Sequence, residues 1–261
     1  MVVNPRAARK FMEAQMRRAK TDKVDARALL EFAERMKFVA WNPPARERMI
    51  LRMFARRIAD FVKMQTAEKN RLHTLRATAA TPEALIVDAE AHIEALEQRL
   101  TQLLAAAVQH VREHKDLSEL FDLACTMKGI RERAAIALLG ELLVLPADMQ
   151  PRELVAHAGL DPRPKDSGTV KARRAISKVG NAALRGALYM PTLTAIVHEP
   201  TVKKHYDHLV AGGREQKKMV AVTAVSRKLL VSLWCMLQTR TPWDPARFSP
   251  RFGPVREAPA A

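Results

Sequence analysis

Two stretches of three-and-four spacing, separated by a proline break, limit what this chain can fold into. Leu51, Phe54, Ile58, Phe61, Gln65, Glu68, Leu72 and Leu75 make the first, and Ile93, Leu96, Leu100, Leu103, Ala107 and Val111 the second. Residues three and four apart share one helix face, so each stretch predicts a long helix with one continuous seam. Ala79-Ala80-Thr81-Pro82 interrupts the pattern. Two such helices around one short break predict an antiparallel coiled-coil hairpin over residues 45–114. Gln65 and Glu68 place two polar positions within the seam, which fits a register-setting pair, a dimer contact or a wet gap.

The flanking sequence predicts a mainly α chain. Residues 1–40 open with Met1-Val2-Val3, a scrap of β-like sequence cut by Asn4-Pro5, followed by a basic helical segment Arg6–Arg18. Three strand residues are not stable without neighbours. After Lys20 an apolar-periodic helix runs to about Met36, and Trp41-Asn42-Pro43-Pro44 reads as a linker. Residues 115–243 predict a compact helical domain. Within it, Met127-Lys128-Gly129-Ile130 leads into AAIALLGELL, either a plain helix start or a glycine turn of the helix-hairpin-helix kind with Arg131 where a second glycine is usual. Further helices are predicted at Leu154–Leu160, on the segment ending at Tyr189, at Pro191–Val197 and at Lys217–Leu237. Residues 244–261 form a Pro-rich tail expected to be loose.

Charge narrows the partners. Forty-four Lys and Arg against 28 Asp and Glu give a formal charge of +16 over 261 residues, and such an excess points to a polyanion, most commonly nucleic acid. Aromatics are 5% of the chain, too few for a base-stacking platform, so backbone phosphate is the expected contact and salt should weaken binding. Cys125 and Cys235 sit in apolar surroundings without CxxC spacing, which predicts core thiols in a reducing compartment and no structural zinc. With no apolar leader and with Arg227-Lys228 interrupting the last apolar run, the expectation is a cytoplasmic protein without a membrane partner.

Two places could carry chemistry. In Pro162–Tyr189, Asp166-Ser167 is bracketed by Pro162, Pro164 and Gly168, which holds the serine on a turn. Around it stand the cations Arg163, Lys165, Lys171, Arg173, Arg174, Lys178 and Arg185. Cations beside a hydroxyl would bind flanking phosphates and stabilise charge on a transferring phosphoryl group. A solvated basic loop whose serine only closes a turn has the same spacing, and spacing alone favours it. The second place is Asp22 and Asp25, three apart on a predicted helix and able to project from one face as part of a magnesium site. Acids in a first turn behind the N-cap Thr21 also have a purely structural reading. The histidines show no HExxH spacing, His205 and His208 lack a third ligand, and neither a P-loop nor GxGxxG is present.

Taken together, VVNPRAARKF…AKTDKVDARALLEF and GLDPRPKDSGTVKARRAISKVGNAALRGALYM resemble two blocks of the DEDD-type insertion-sequence transposases of the IS-one-ten group, relatives of the Piv DNA invertases. The order of the blocks and the helical spacer agree, and the resemblance covers the chain up to about Trp243. It implies a remnant of an α/β RuvC-like domain at residues 1–40 and a C-terminal transposase domain. It also implies a DNA recombinase that uses Mg2+-bound acids and a nucleophilic serine. Asp22 and Asp25 fall on the last two acids of the family's four-acid motif, and Ser167 falls on its serine. Implied partners are DNA, a guide RNA encoded by the element in some members, and a second copy of the chain through the coiled coil.

The family's first Asp and its Glu lie on strands before the VVNP block, and Glu13 is too close to Asp22 to replace either. The expectation is therefore an N-terminally shortened transposase whose metal site is incomplete. Two other readings stay open on sequence: a basic helical protein that coats DNA or RNA without cutting it, and a coiled-coil dimeriser whose charge is incidental.

Overall fold

In a computed structural model, residues 5–15, 21–36, 40–163, 175–212 and 218–252 are described. They are mainly helical, and their contacts divide the chain into Met1–Pro43 and Pro44–Ala261. The strand-like Met1-Val2-Val3 lies outside the described residues.

The first unit is a pair of helices, α1 (Pro5–Ala14) and α2 (Asp22–Arg35). They meet through Phe11 and Phe32, edge to face with ring centroids 5.4 Å apart, beside the buried Ala8 and Ala28. Edge-to-face rings add about 0.5–1.5 kcal/mol beyond the area they bury. Gln15 Nε2 donates to Glu31 Oε2 at 2.8 Å across the pair. Thr21, in extended conformation, starts α2 by accepting the Val24 amide on its hydroxyl at 3.4 Å.

The second unit begins with α3 (Arg46–Ala77) and α4 (Glu83–Arg112), joined by five residues and packed against each other in opposite directions. The seam is Leu51, Ala55, Ile58 and Phe61 against Leu96, Leu100, Ala107 and Val111, all buried. Ala55, rather than Phe54, takes the enclosed position, and Phe54 lies half-buried against His110. Of the mid-seam polar pair, Glu68 is buried at 6% exposure, paired with Arg71 on its own helix and 3.6 Å from His92 Nδ1 across the seam. Glu68 therefore enters the packed layer with its charge matched, not as a wet gap.

The remaining helices continue the same core. These are α5 (Lys115–Cys125), α6 (Glu132–Leu142), α7 (Pro151–His157), α8 (Ala182–His198), α9 (Pro200–Ala211), α10 (Lys218–Thr239) and α11 (Pro245–Phe248). Leu51 and Phe61 of α3 share one apolar cluster with Leu138 of α6, Leu184 of α8 and Leu233 of α10. The hairpin is thus rooted in the helical domain. Gly140 allows this closeness, since a Cβ there would lie 2.7 Å from the Ala55 Cβ. Strands β1 (Pro162–Arg163) and β2 (Ala175–Ile176) form a two-residue antiparallel ribbon between α7 and α8.

Three sequence expectations change here. The break at Pro191 is absent: α8 runs through it, with Pro191 buried and Thr192 Oγ1 donating to Leu188 O at 2.7 Å. Proline removes one helix donor but keeps helical φ, so packing can carry a helix across it. Gly129, at φ +95, brings its turn against α8, where a Cβ would sit 2.4 Å from Pro191 O; the protein's own backbone occupies the approach a phosphate would need. Cys235 is exposed, whereas Cys125 is half-buried and burial pushes its thiol pKa up. Helix α10 is long and apolar enough to cross a membrane by composition alone. Its residues Val225, Leu229, Leu230 and Leu233 are buried in this core.

Candidate functional site

Asp22 and Asp25 occupy the first turn of α2. Asp22 is exposed and Asp25 half-buried, and neither carboxylate has a hydrogen-bond or ion-pair partner among the described residues. The capping role belongs to Thr21, whose hydroxyl takes the Val24 amide, and neither acid is needed for it. Glu13, by contrast, is occupied. Lys10 holds it at 2.6 Å and Arg9 at 3.2 Å, and hydrogen bonding and charge from Lys10, with help from Arg9, bring its carboxyl below the usual carboxylate range.

Two free oxygen donors one helical turn apart suit a hard divalent cation. They fit as part of a site and not as a whole one: no group of three or more His, Cys, Asp or Glu able to hold a metal exists among the described residues. The histidines are used otherwise. His205 lies edge-on to Phe248 with centroids 5.6 Å apart, and His208 packs on Phe252 at 5.4 Å.

Ser167, with Lys165, Lys171, Arg173 and Arg174, lies outside the described residues. What the fold does define is where that segment departs and returns. Arg163 in β1 pairs with Ala175 in β2. The return strand is fixed to the end of α7: the Ser177 amide donates to Asp161 O at 2.8 Å, and the Ser177 hydroxyl donates to the Asp161 carboxylate. The Lys178 amide donates to Gly159 O at 3.1 Å, and the Asn181 amide to His157 O at 2.8 Å. Lys178 is exposed with φ 51, in the left-handed region. Arg185 is half-buried and donates from Nη1 to Ala158 O at 2.8 Å. Its guanidinium therefore has a structural contact as well as charge.

Behind this ribbon lies a residue that sequence reasoning passed over. Glu141, in the apolar run of α6, is 2% exposed. It accepts from Arg56 Nε at 2.8 Å and Asn181 Nδ2 at 2.7 Å, with Arg52 Nη2 at 3.4 Å. Burial alone would raise its carboxyl, but the hydrogen bonds from Arg56 and Asn181 and the charges of both arginines outweigh that and hold it below the ordinary value. The available signal was a lone acid within AAIALLGELL.

A model described as Transposase, of the IS110 group, matches residues 1–79, and a model described as Transposase IS116/IS110/IS902 family matches residues 122–207. Among curated proteins, the chain is 31% identical over 146 residues to the candidate transposase y4rJ of Sinorhizobium fredii (strain NBRC 101917 / NGR234), across 54% of this chain and 37% of that protein. It is 31% identical over 93 residues to an uncharacterized 42 kDa protein of insertion element IS900 from Mycobacterium paratuberculosis, across 36% of this chain and 23% of that one. The chain spans well under half the length of these relatives. The two matched stretches are similar to IS110-family transposases; the first spans α2 with Asp22 and Asp25, and the second spans the ribbon that bounds the serine segment.

Proposed function

We propose that this chain serves DNA transposition of an insertion sequence, acting in the cytoplasm, and that it cuts and rejoins strands with Ser167 as nucleophile. The observation that carries the reading is the match of one chain to both family models, with Asp22 and Asp25, which have no partner among the described residues, in the first stretch and Ser167 in the second. In the proposed step the serine Oγ–P bond forms as the bond from phosphorus to one sugar oxygen breaks. The serine proton ends on the released sugar hydroxyl. Arg163, Lys165, Lys171, Arg173, Arg174 and Lys178 hold the flanking phosphates, and Arg185 adds charge at the base of the ribbon.

Asp22 and Asp25 would supply two of the oxygen ligands of a Mg2+ site, whose charge would stabilise the developing oxyanions. The remaining ligands must come from outside the described residues. A guide RNA could select the DNA partner, and a second copy of the chain could pair along α3 and α4, where Met53, Met64, Leu85 and Val87 are exposed.

A non-catalytic reading has its own support. The charge of +16, together with only two candidate ligands in α2, describes a basic helical protein that binds DNA or RNA without cutting it. One experiment separates the two. A strand-transfer assay with Mg2+, DNA bearing the element's ends and the element's RNA compares this chain with a form extended upstream of Met1. A covalent protein–DNA adduct lost in Ser167→Ala supports the transposase. No adduct in either form, with salt-sensitive binding intact, leaves the binding protein.

A further inference from the structure

We propose that Glu141 and Asn181 are positioning residues that fix where the β1–β2 ribbon, which bounds the serine segment, stands relative to the α3–α4 hairpin. This rests on the reading that Ser167 acts on DNA. The described ends of the segment are anchored to α7 by the backbone bonds of Ser177, Lys178 and Asn181. The fit leaves no slack: a Cβ on Gly180, at φ +144, would come 2.2 Å from His157 O, and one on Gly159, at φ +65, would come 3.0 Å from the Val179 backbone. Helix α7 has only seven residues, so a rigid stem there needs a longer support.

Glu141 connects that stem to the support. One carboxylate takes Arg56 and Arg52 from α3 and the Asn181 side chain from the start of α8. Asn181 performs two tasks with one planar group. Its Oδ1 accepts the Leu184 amide at 3.1 Å and caps α8, while its Nδ2 donates to Glu141 at 2.7 Å. Ser, Thr or Asp would cap equally well. Among these capping side chains, the amide combines an acceptor for the helix end with a donor that reaches a buried carboxylate. A cap alone does not call for asparagine; a cap tied to Glu141 does.

The test separates the tie from the cap. Asn181→Asp and Asn181→Ser keep a capping oxygen and lose the tie. Hydrogen exchange at the Ser177 and Lys178 amides should quicken roughly tenfold in each single variant, as expected for loss of one charge-assisted hydrogen bond. Exchange in α3 and α10 should stay unchanged. In the Mg2+ assay on the form that yields adduct, the adduct rate should fall similarly with DNA affinity unaltered, a split that general destabilisation would not produce. Unchanged exchange at Ser177 and Lys178 in both variants overturns the positioning role. If no variant, wild type included, forms adduct, the transposase reading fails, and the exchange experiment still decides whether the tie orders the ribbon.

Discussion

Arg56 Nε lies 2.8 Å from Glu141 Oε1, joining a side chain that is 54% exposed to one that is 2% exposed. The two ends of this pair are not equivalent. Truncating Arg56 leaves the carboxylate with Arg52 and Asn181, whereas truncating Glu141 empties a buried position and frees all three donors at once. Glu141→Ala should cost about 2–4 kcal/mol, and Arg56→Ala about 1 kcal/mol or less because its head is largely in water. Urea unfolding of the two variants measures the difference.

Acid should weaken the fold in two stages. Burial pushes the His157 imidazole below its ordinary pKa, with Glu141 opposing and Arg52 reinforcing. The unfolded chain therefore binds that proton more readily, and stability present above about pH 6.5 declines as pH falls below it. Glu141, also held below its ordinary value, adds stability that is complete above the unfolded carboxylate pKa and is lost at lower pH still. Thermal melts from pH 8 to 5 should show a Tm decline that His157→Gln flattens in part. Burial also lowers the pKa of His205, which accounts for the portion that remains.

Gly129→Ala tests the turn between α5 and α6. The residue stands at φ +95, and its Cβ would meet Pro191 O at 2.4 Å. Left-handed strain and overpacking each cost about 1–3 kcal/mol, so the variant should lose both. A loss below about 1 kcal/mol in urea would mean that the turn and α8 can move apart.

The α2 aspartates should matter little for folding. Asp22→Asn and Asp25→Asn each remove one favourable helix-dipole charge, about 0.3–1 kcal/mol, and Thr21→Ala removes the cap, about 1 kcal/mol. Adduct formation in the Mg2+ assay should show the opposite order, with either Asp variant inactive and Thr21→Ala retaining activity.

For nucleic-acid binding, Arg173→Ala and Arg174→Ala should each weaken affinity evenly across DNA sequences. Each should also lower the slope of log affinity against log salt by about one. Filter binding from low to moderate salt measures both quantities.

How much of this could be read from sequence depended on the range of the interaction. The long helices were legible because Leu51, Ile58 and Phe61 repeat locally on one face. Pro191 misled, since a proline break is a local rule and its override comes from packing with the Gly129 turn sixty residues upstream. The paired aspartates and the basic segment stand out by spacing, which alone does not separate a site from a helix start or a solvated loop. The Glu141 node could not be read that way: Arg52 and Arg56 of α3, Glu141 of α6 and Asn181 at the start of α8 come from three places far apart in the chain, which no local spacing connects. Cys235 failed for a related reason, since apolar neighbours in sequence do not determine which side of a helix meets solvent.

Helix α10 packs against α5, α7, α8 and α9, and Arg240 at its far end binds Asp116, which also takes Arg48 at 3.0 Å. The central slab of this core is therefore synthesised after α5, α7, α8 and α9, the helices it packs against. The hairpin can zip up from neighbouring residues as it emerges, but the layer around Leu138 and Leu184 must wait for Leu230 and Leu233 to arrive. At synthesis speeds of about 5–20 residues per second, that wait lasts several seconds with apolar surface open. A reading frame interrupted before α10 would release a formed hairpin on an unclosed domain, a species suited to aggregation or disposal. Closure of this core thus waits on the synthesis of α10.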